Sequence, residues 1–159
     1  MNIDVDDLID TPESLEKTYH NLIPISAHMG VKVVSWDGQK LVLQAPLANN
    51  INHQQSAFGG SLFSLAALAG WGLLQLKLAE LELHCNTVIA GGDVNYAVPV
   101  FDDFTCECAL PKHWPEVVTR LTTKGKGSLD LPSIIMANGK QAMAFNGRYV
   151  IVRKSKEAL

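Results

Sequence analysis

The stretch Ser56–His84, SAFGGSLFSLAALAGWGLLQLKLAELELH, decides the fold, because nothing else in the 159 residues is as long, apolar and free of turns. Leu62, Phe63, Leu65, Ala66, Leu68, Ala69, Trp71, Leu73, Leu74, Leu76 and Leu78 fall on nearly every face of a helix, and a helix that is apolar all round is one wrapped in protein. Its apolar core, Ser61 to Leu76, is interrupted by Gln75 and stops at Lys77, short of the roughly 18 to 20 residues a bilayer span needs. A core helix without a membrane span is therefore expected. Two adjacent glycines, Gly59 and Gly60, open it, a poor choice inside a helix but suited to a first turn whose backbone N–H groups must lie open to a close approach. The polar run Asn49-Asn50-Ile51-Asn52-His53-Gln54-Gln55-Ser56 leads straight into that turn. The junction has two readings: a functional site, or an ordinary cap in which Ser56 is the N-cap and Asn52 and His53 satisfy turn backbone.

Composition narrows the choice. The length suits one domain with a sizeable core, and 47% hydrophobic against 18% charged residues describes a globular, water-soluble chain. With a net charge of −3 and no basic stripe, nucleic acid is not an expected partner. Three cysteines, an odd number, point to a reducing compartment, and Cys106 and Cys108 form a lone C-x-C with no second pair to complete a metal site. They read as packing residues, and neither metal nor cofactor is expected. Asp4, Asp6, Asp7 and Asp10 stand where a secretory leader would carry positive charge and then an apolar run, so a cytoplasmic location is expected.

Outward from the helix the chain reads as follows. Residues 1–10 are expected to fray, residues 11–154 to form a single domain and residues 155–159 a tail. Thr11 as N-cap and Pro12 at the first helical position open a short helix that Pro24 ends. Strands around Val31–Val33 and Leu41–Leu43 flank a turn at Asp37-Gly38. After the long helix, Thr87 to Val100 reads as a strand with Val94, Tyr96 and Val98 on one face and Asp93, Asn95 and Ala97 on the other, and Gly91-Gly92 suggests a bulge. Phe104–Leu110 and Val117–Lys124 are expected as strands, Gly125–Asp130 as a flexible loop, and Ile134–Ala137 with Lys140–Val152 as a hairpin about Asn138-Gly139, with Gly147 a second bulge. The economical packing of about seven strands, mostly joined by hairpins, and one apolar helix is α+β: a curved antiparallel sheet wrapped around that helix.

This arrangement resembles the hot-dog fold, whose thioesterases and dehydratases act on acyl-CoA or acyl-carrier-protein substrates. Two local patterns carry the resemblance. Asn52-His53-x-x-Ser56-x-Phe58-Gly59-Gly60-Ser61-Leu62, with Gly70-Trp71 beyond it, is similar to a small bacterial family of thioesterase domains, some of them fused to a GNAT acetyltransferase domain. Val94-Asn95-Tyr96-x-x-Pro99-Val100-x-x-Asp103 is similar to the strand-then-proline segment that follows the helix across the superfamily. One departure matters. Thioesterases of the phenylacetyl-CoA type carry His-Gly-Gly here and an acid seven positions after the second glycine; this chain has Phe58 and Ala67.

The resemblance implies a thioester hydrolase in which water attacks directly. Such chemistry needs donors where the oxyanion develops and a base to orient water. Gly59 and Gly60 N–H groups at a helix N-terminus suit the first need. For the second the sequence offers His53, an imidazole beside the junction, and Asp93 on the following strand, with Asn52 and Ser56 to orient water or carbonyl. Lys124, Lys126, Arg120 and Arg148 are candidates for CoA phosphates. Small residues Ala66, Ala67, Ala69 and Gly70 suggest room for an acyl chain along the helix. Two other activities remain open on the same fold: a non-catalytic acyl-thioester or lipid binder, and a hydratase or dehydratase using His53 against Asp93. The long strand from Thr87 would leave a flat edge in a monomer, so a homodimer, or a homotetramer built as a dimer of dimers, is expected.

Overall fold

The computed structural model describes residue 5 and residues 8–155. Helix α1 (Pro12–Leu22) begins with a capping box in which the Thr11 hydroxyl accepts from the Ser14 N–H and the Ser14 hydroxyl accepts from the Thr11 N–H. Its buried face is Leu15 and Tyr19. Pro24 does more than end α1: its ring starts a second short helix, α2 (Pro24–Met29), closed by Gly30 in the left-handed conformation at φ 72°. Residues 1–4, 6 and 7 of the leader expected to fray, and residues 156–159 of the expected tail, lie outside the described residues. Ile9 is packed into the core.

Strands β1 (Lys32–Trp36) and β2 (Lys40–Ala45) form the first hairpin, and the 22-residue helix α3 (Gly59–Glu80) follows. Then come β3 (Cys85–Tyr96), β4 (Phe104–Ala109), helix α4 (Trp114–Lys124), β5 (Lys126–Ala137) and β6 (Lys140–Arg153). The sheet has six antiparallel strands in the order β1-β2-β4-β5-β6-β3. It curves about α3, which packs against every strand from β2 to β6, and this is the hot-dog arrangement. The Asn138-Gly139 turn has positive φ at both residues (50° and 73°), as a two-residue hairpin of that hand requires. The pairing of β3 with β6 slips between Ile89 and Gly91, where the glycine pair suggested a bulge.

Helix α3 is long and apolar enough to cross a membrane by composition, with a mean hydropathy of 1.5 over its best window, but 67% of that window is buried inside the fold. Burial against the sheet, rather than shortness, makes it a core helix. Leu65, Ala66, Ala69, Leu73 and Leu74 are fully enclosed.

Four expectations fail in the second half. Val117–Lys124 is helix, not strand: Trp114, Val117 and Leu121 recur at i, i+3 and i+7 on one buried face, and the Thr119 and Thr123 hydroxyls bond the carbonyls four residues back. Gly125 is the left-handed residue that stops α4 (φ 73°), so Gly125–Asp130 is no flexible loop; β5 begins at Lys126. Gly147 is no bulge, since Phe145, Gly147 and Tyr149 keep strict alternation toward the helix. A side chain there would meet the rings of Phe145 and Tyr149 at 2.6 and 2.9 Å, so the glycine makes room for them. Finally, β3 ends at Tyr96, four residues before Val100.

Candidate active site

Helix α3 starts without a side-chain cap. Its N-cap is Phe58, and the Phe58 carbonyl takes the N–H groups of Ser61 (2.9 Å) and Leu62 (3.2 Å). The N–H groups of Gly59 and Gly60 find no acceptor among the described residues. Two backbone donors thus stand open where the helix dipole is positive. Beside them is a pocket of about 350 Å³ lined by Ile25, His28, Met29, Asn49, Asn50, Phe58, Gly60, Ser61 and Ser64. A larger one of about 440 Å³ lies at the other end of α3, among Asp10, Glu82 and His84. That end presents helix carbonyls and carboxylates, the wrong polarity for an oxyanion.

The loop before the helix is built by asparagines. The Asn52 side-chain oxygen accepts from Gln54 N–H (2.9 Å), Ser56 N–H (3.1 Å) and the Ser56 hydroxyl (3.2 Å). Ser56 therefore turns back to Asn52 and does not cap α3, and Gln55 takes a left-handed φ of 64° between them. Asn50 anchors the loop from below: buried, its amide donates to the carbonyls of Met29 (2.9 Å) and Pro46 (2.7 Å). His53 is exposed at the loop tip. The structure thus brings Asn52 and Ser56 together as a turn next to the open donors and leaves His53 unencumbered above it. Asn52→Ala removes an acceptor from three donors and should cost about 1–2 kcal/mol. It is expected to lower the melting temperature while changing turnover per folded molecule less than tenfold; a hundredfold loss at unchanged stability would make Asn52 catalytic instead.

The remaining sequence candidates lie elsewhere. In the β3–β6 register Val94 stands opposite buried Phe145 and Asp93 opposite exposed Asn146. Asp93 thus faces away from α3, and its pairing with His53 is not formed within the chain. Arg148 is on the same outer face, held 3.1 Å from Asp130. Arg120, Lys124 and Lys126 gather at the far end of the sheet, where α4 ends and β5 begins. Ala67, at the position where the phenylacetyl-CoA type has its acid, is partly open on the face of α3 toward β3. The expected acyl space along the helix is closed at Ala66 and Ala69, which are fully buried, and at Gly70, which is filled by the Tyr149 ring.

Several residues at or behind the site escape a sequence reading. Tyr96 (48% exposed) donates to the Gly59 carbonyl at 3.0 Å, tying the edge strand to the first turn. Its place on the inward face of β3, with Val94, was the available signal. His28 and Ser64 line the pocket from α2 and α3. Tyr19 and Tyr149, from opposite ends of the chain, donate their hydroxyls to the successive carbonyls Leu68 and Ala67 in the middle of α3. Gly70 and Gly72 admit them: an added side-chain carbon would lie 2.3 Å from the Tyr149 oxygen at Gly70 and 2.0 Å from the Tyr19 oxygen at Gly72. Burial pushes the Cys106 thiol well up and the Cys108 thiol up to about 11, which keeps both protonated as packing groups.

Comparison with known proteins agrees with this fold. Residues 12–153 match the family described as "Putative thioesterase (yiiD_Cterm)". A protein of unknown function from Chlorobaculum tepidum TLS is 33% identical, with a TM-score of 0.86 over 91% of this chain and 98% of its own. The "putative thioesterase from Shewanella oneidensis" is 29% identical, with a TM-score of 0.82 over 92% and 99%. A mutant of the phenylacetic acid degradation protein PaaI from Thermus thermophilus, 16% identical with a TM-score of 0.57 over 81% and 98%, shares the fold. A family match along nearly the whole domain, on a hot-dog fold whose central helix opens with two free amides, means that this chain belongs to the yiiD_Cterm thioesterase family.

Proposed function

We propose that the chain hydrolyses an acyl thioester of CoA or of a carrier protein, with the thioester carbonyl seated on the N–H groups of Gly59 and Gly60. The observation that carries this reading is the uncapped start of α3: two donors without acceptors among the described residues, at the positive end of a 22-residue helix. Water attacks the carbonyl carbon, the oxygen gathers negative charge against the two amides, and the carbon–sulfur bond then breaks to release the thiol. His53 is the proposed base, free at the loop tip to take a proton from that water and return it to the leaving sulfur. Asn52 and Ser56 hold the loop that carries it. The acyl chain is proposed to run over the open stripe Phe63–Ala67–Trp71 on the side of α3 toward β3.

The working unit is proposed to be a homodimer, or a tetramer built from such dimers. Strand β3 is an edge strand of 12 residues, and from residue 86 onward its outer row of backbone groups has no partner strand among the described residues. Val88, Ile89, Val94 and Tyr96 on it, and Val98 just past its end, are 39–56% exposed. A long apolar edge of this kind is a template for pairing, and a second copy of the same strand satisfies it by antiparallel addition. Sedimentation at micromolar concentration should show a species of at least twice the 17.3 kDa chain; the single chain alone would refute the dimer.

A thiol-release assay over acyl-CoA chain lengths tests the activity directly, and measurable release from at least one thioester is expected. A second reading, a non-catalytic acyl-thioester binder, is favoured by one observation: Asp93 faces away from the helix start, and among the described residues no carboxylate lines the pocket beside it. Binding of acyl-CoA without thiol release would establish it. A hydratase using His53 against Asp93 would have to assemble that pair from two copies, and hydration of an enoyl-CoA without thiol release would establish it.

A further inference from the structure

We propose that the cavity at the C-terminal end of α3, lined in part by Asp10, Gln75 and Glu82, is a binding site for a small organic dication: an aliphatic diamine with one ammonium group for each carboxylate. The inference goes beyond the thioesterase reading and stands independently of it.

The polarity that makes this end of the helix wrong for an oxyanion makes it right for a cation. The cavity of about 440 Å³ is of small-molecule size, far larger than a bare ion or a single water fills. One wall is a face of α3: Gln75, Leu78 and Ala79 recur at i, i+3 and i+4, and Glu82 follows just beyond the negative end of the helix dipole. The other is the segment before α1, where Ile9 is packed into the core and sets Asp10 at the rim. One Asp10 carboxylate oxygen accepts from the Ser14 hydroxyl (3.1 Å), and the other has no partner among the described residues. The Glu82 carboxylate has none there either, whereas Glu80 nearby is bound to Lys77 at 2.7 Å.

Gln75 points to a ligand independently of the two acids. It is only 5% exposed, yet its side-chain amide has no hydrogen-bond partner among the described residues, a rare condition for a buried polar group. The cavity is its outlet, and an ammonium group supplies the donor that the amide oxygen lacks. The carbonyls at the helix end are already used by the turn: Leu78 accepts from Leu81 (3.2 Å) and Leu83 (3.0 Å), and Ala79 from Glu82 (3.1 Å). Recognition therefore falls to the side chains. No lysine or arginine among the described residues lines the cavity, and His84 at its rim already has a partner. Lys77 is committed elsewhere, to Glu80 and the Gly38 carbonyl. Two carboxylates call for two positive charges, and the aliphatic walls Ile9, Leu78 and Leu83 suit the methylene chain between them. A metal ion fits less well, since among the described residues no three histidine, cysteine or carboxylate groups come together to hold one.

The test is a calorimetric titration of the full chain with 1,4-diaminobutane at constant ionic strength. Saturable binding is expected, about tenfold or more tighter than that of 1-aminobutane, and no binding of 1,4-butanediol. Asp10→Asn and Glu82→Gln, both at exposed positions, should each weaken the diamine about tenfold, the worth of one charge-assisted pair. Gln75→Leu should weaken it about threefold or more while keeping the melting temperature of the unliganded protein at or above the wild-type value, because an unpaired amide is removed from the interior. Glu116→Gln makes the same change of charge on the exposed face of α4 and should leave binding as it is. Absence of saturable heat at millimolar diamine overturns the site and leaves the cavity to water. Equal weakening by Glu116→Gln overturns it in favour of general charge attraction, and displacement of the diamine by magnesium or manganese chloride at matched ionic strength overturns it in favour of a metal. Thiol release takes no part in the titration, so failure here leaves the thioesterase reading intact, and an inactive protein that binds the diamine leaves this site standing.

Discussion

Gly72→Ala is expected to lower the melting temperature by roughly 2–12 °C, although glycine to alanine inside a helix ordinarily stabilises by about 1 kcal/mol. The reason is the Tyr19 hydroxyl, which occupies the space the methyl would take: the added carbon would sit 2.0 Å from that oxygen and 3.0 Å from a Leu15 methyl. Tyr19 is fully buried, so its ring has nowhere to retreat, and its bond to the Leu68 carbonyl breaks with it. Overpacking and the lost buried hydrogen bond together cost about 2–4 kcal/mol, more than the helix gains. Gly70→Ala against Tyr149 should behave alike. In the double variant Tyr19→Phe, Gly72→Ala the offending oxygen is gone, and the penalty for alanine should shrink by at least half. A Gly72→Ala protein as stable as the wild type in thermal unfolding would show that the hydroxyl does not hold this position.

Gly60→Val should reduce the turnover number by roughly a hundredfold or more, the order of loss seen when an oxyanion donor is removed. Its structural cost is smaller than the contact suggests. The added carbon would meet the Phe58 ring at 2.4 Å, but Phe58 is 58% exposed and can swing away. The isopropyl group then occupies the space over the open amides where the thioester oxygen must come. Circular dichroism and melting temperature should therefore stay near wild type while thiol release collapses. If thiol release fell no further than the folded fraction, the carbonyl would have to be bound elsewhere.

What the sequence discloses here follows from how local each signal is. Helix α3 and the hairpins at Asp37-Gly38 and Asn138-Gly139 are legible because a long apolar run and a turn dipeptide act on their own neighbours. Helix α4 is not: Val117, Val118, Thr119, Thr122 and Thr123 favour strand individually, and the helix is stabilised by placing Val117 and Leu121 against Gly127 of β5. Its one local clue was the frame of Pro115 and Gly125 around a buried i, i+3, i+7 row. The site divides in the same way. Open amides at a diglycine helix start can be anticipated from the residues, whereas the use of Asn52 as a turn acceptor and the outward face of Asp93 depend on loop geometry and strand register. The pairing of Gly70 and Gly72 with tyrosines at 149 and 19 leaves no local trace at all, since each contact joins distant parts of the chain.

Those tyrosine contacts also set the order of events while the chain is being made. The Tyr149 hydroxyl meets the Ala67 carbonyl across 82 residues of sequence. At a ribosomal pace of about 5–20 residues per second, roughly 4–16 s separate the synthesis of the two partners. Throughout that interval the most apolar helix has emerged without the strands that cover it, and chaperones compete with aggregation for the nascent chain. Slower elongation before β6 should raise the aggregated fraction, and a chain halted before Tyr149 becomes prey for proteases rather than a smaller folded domain.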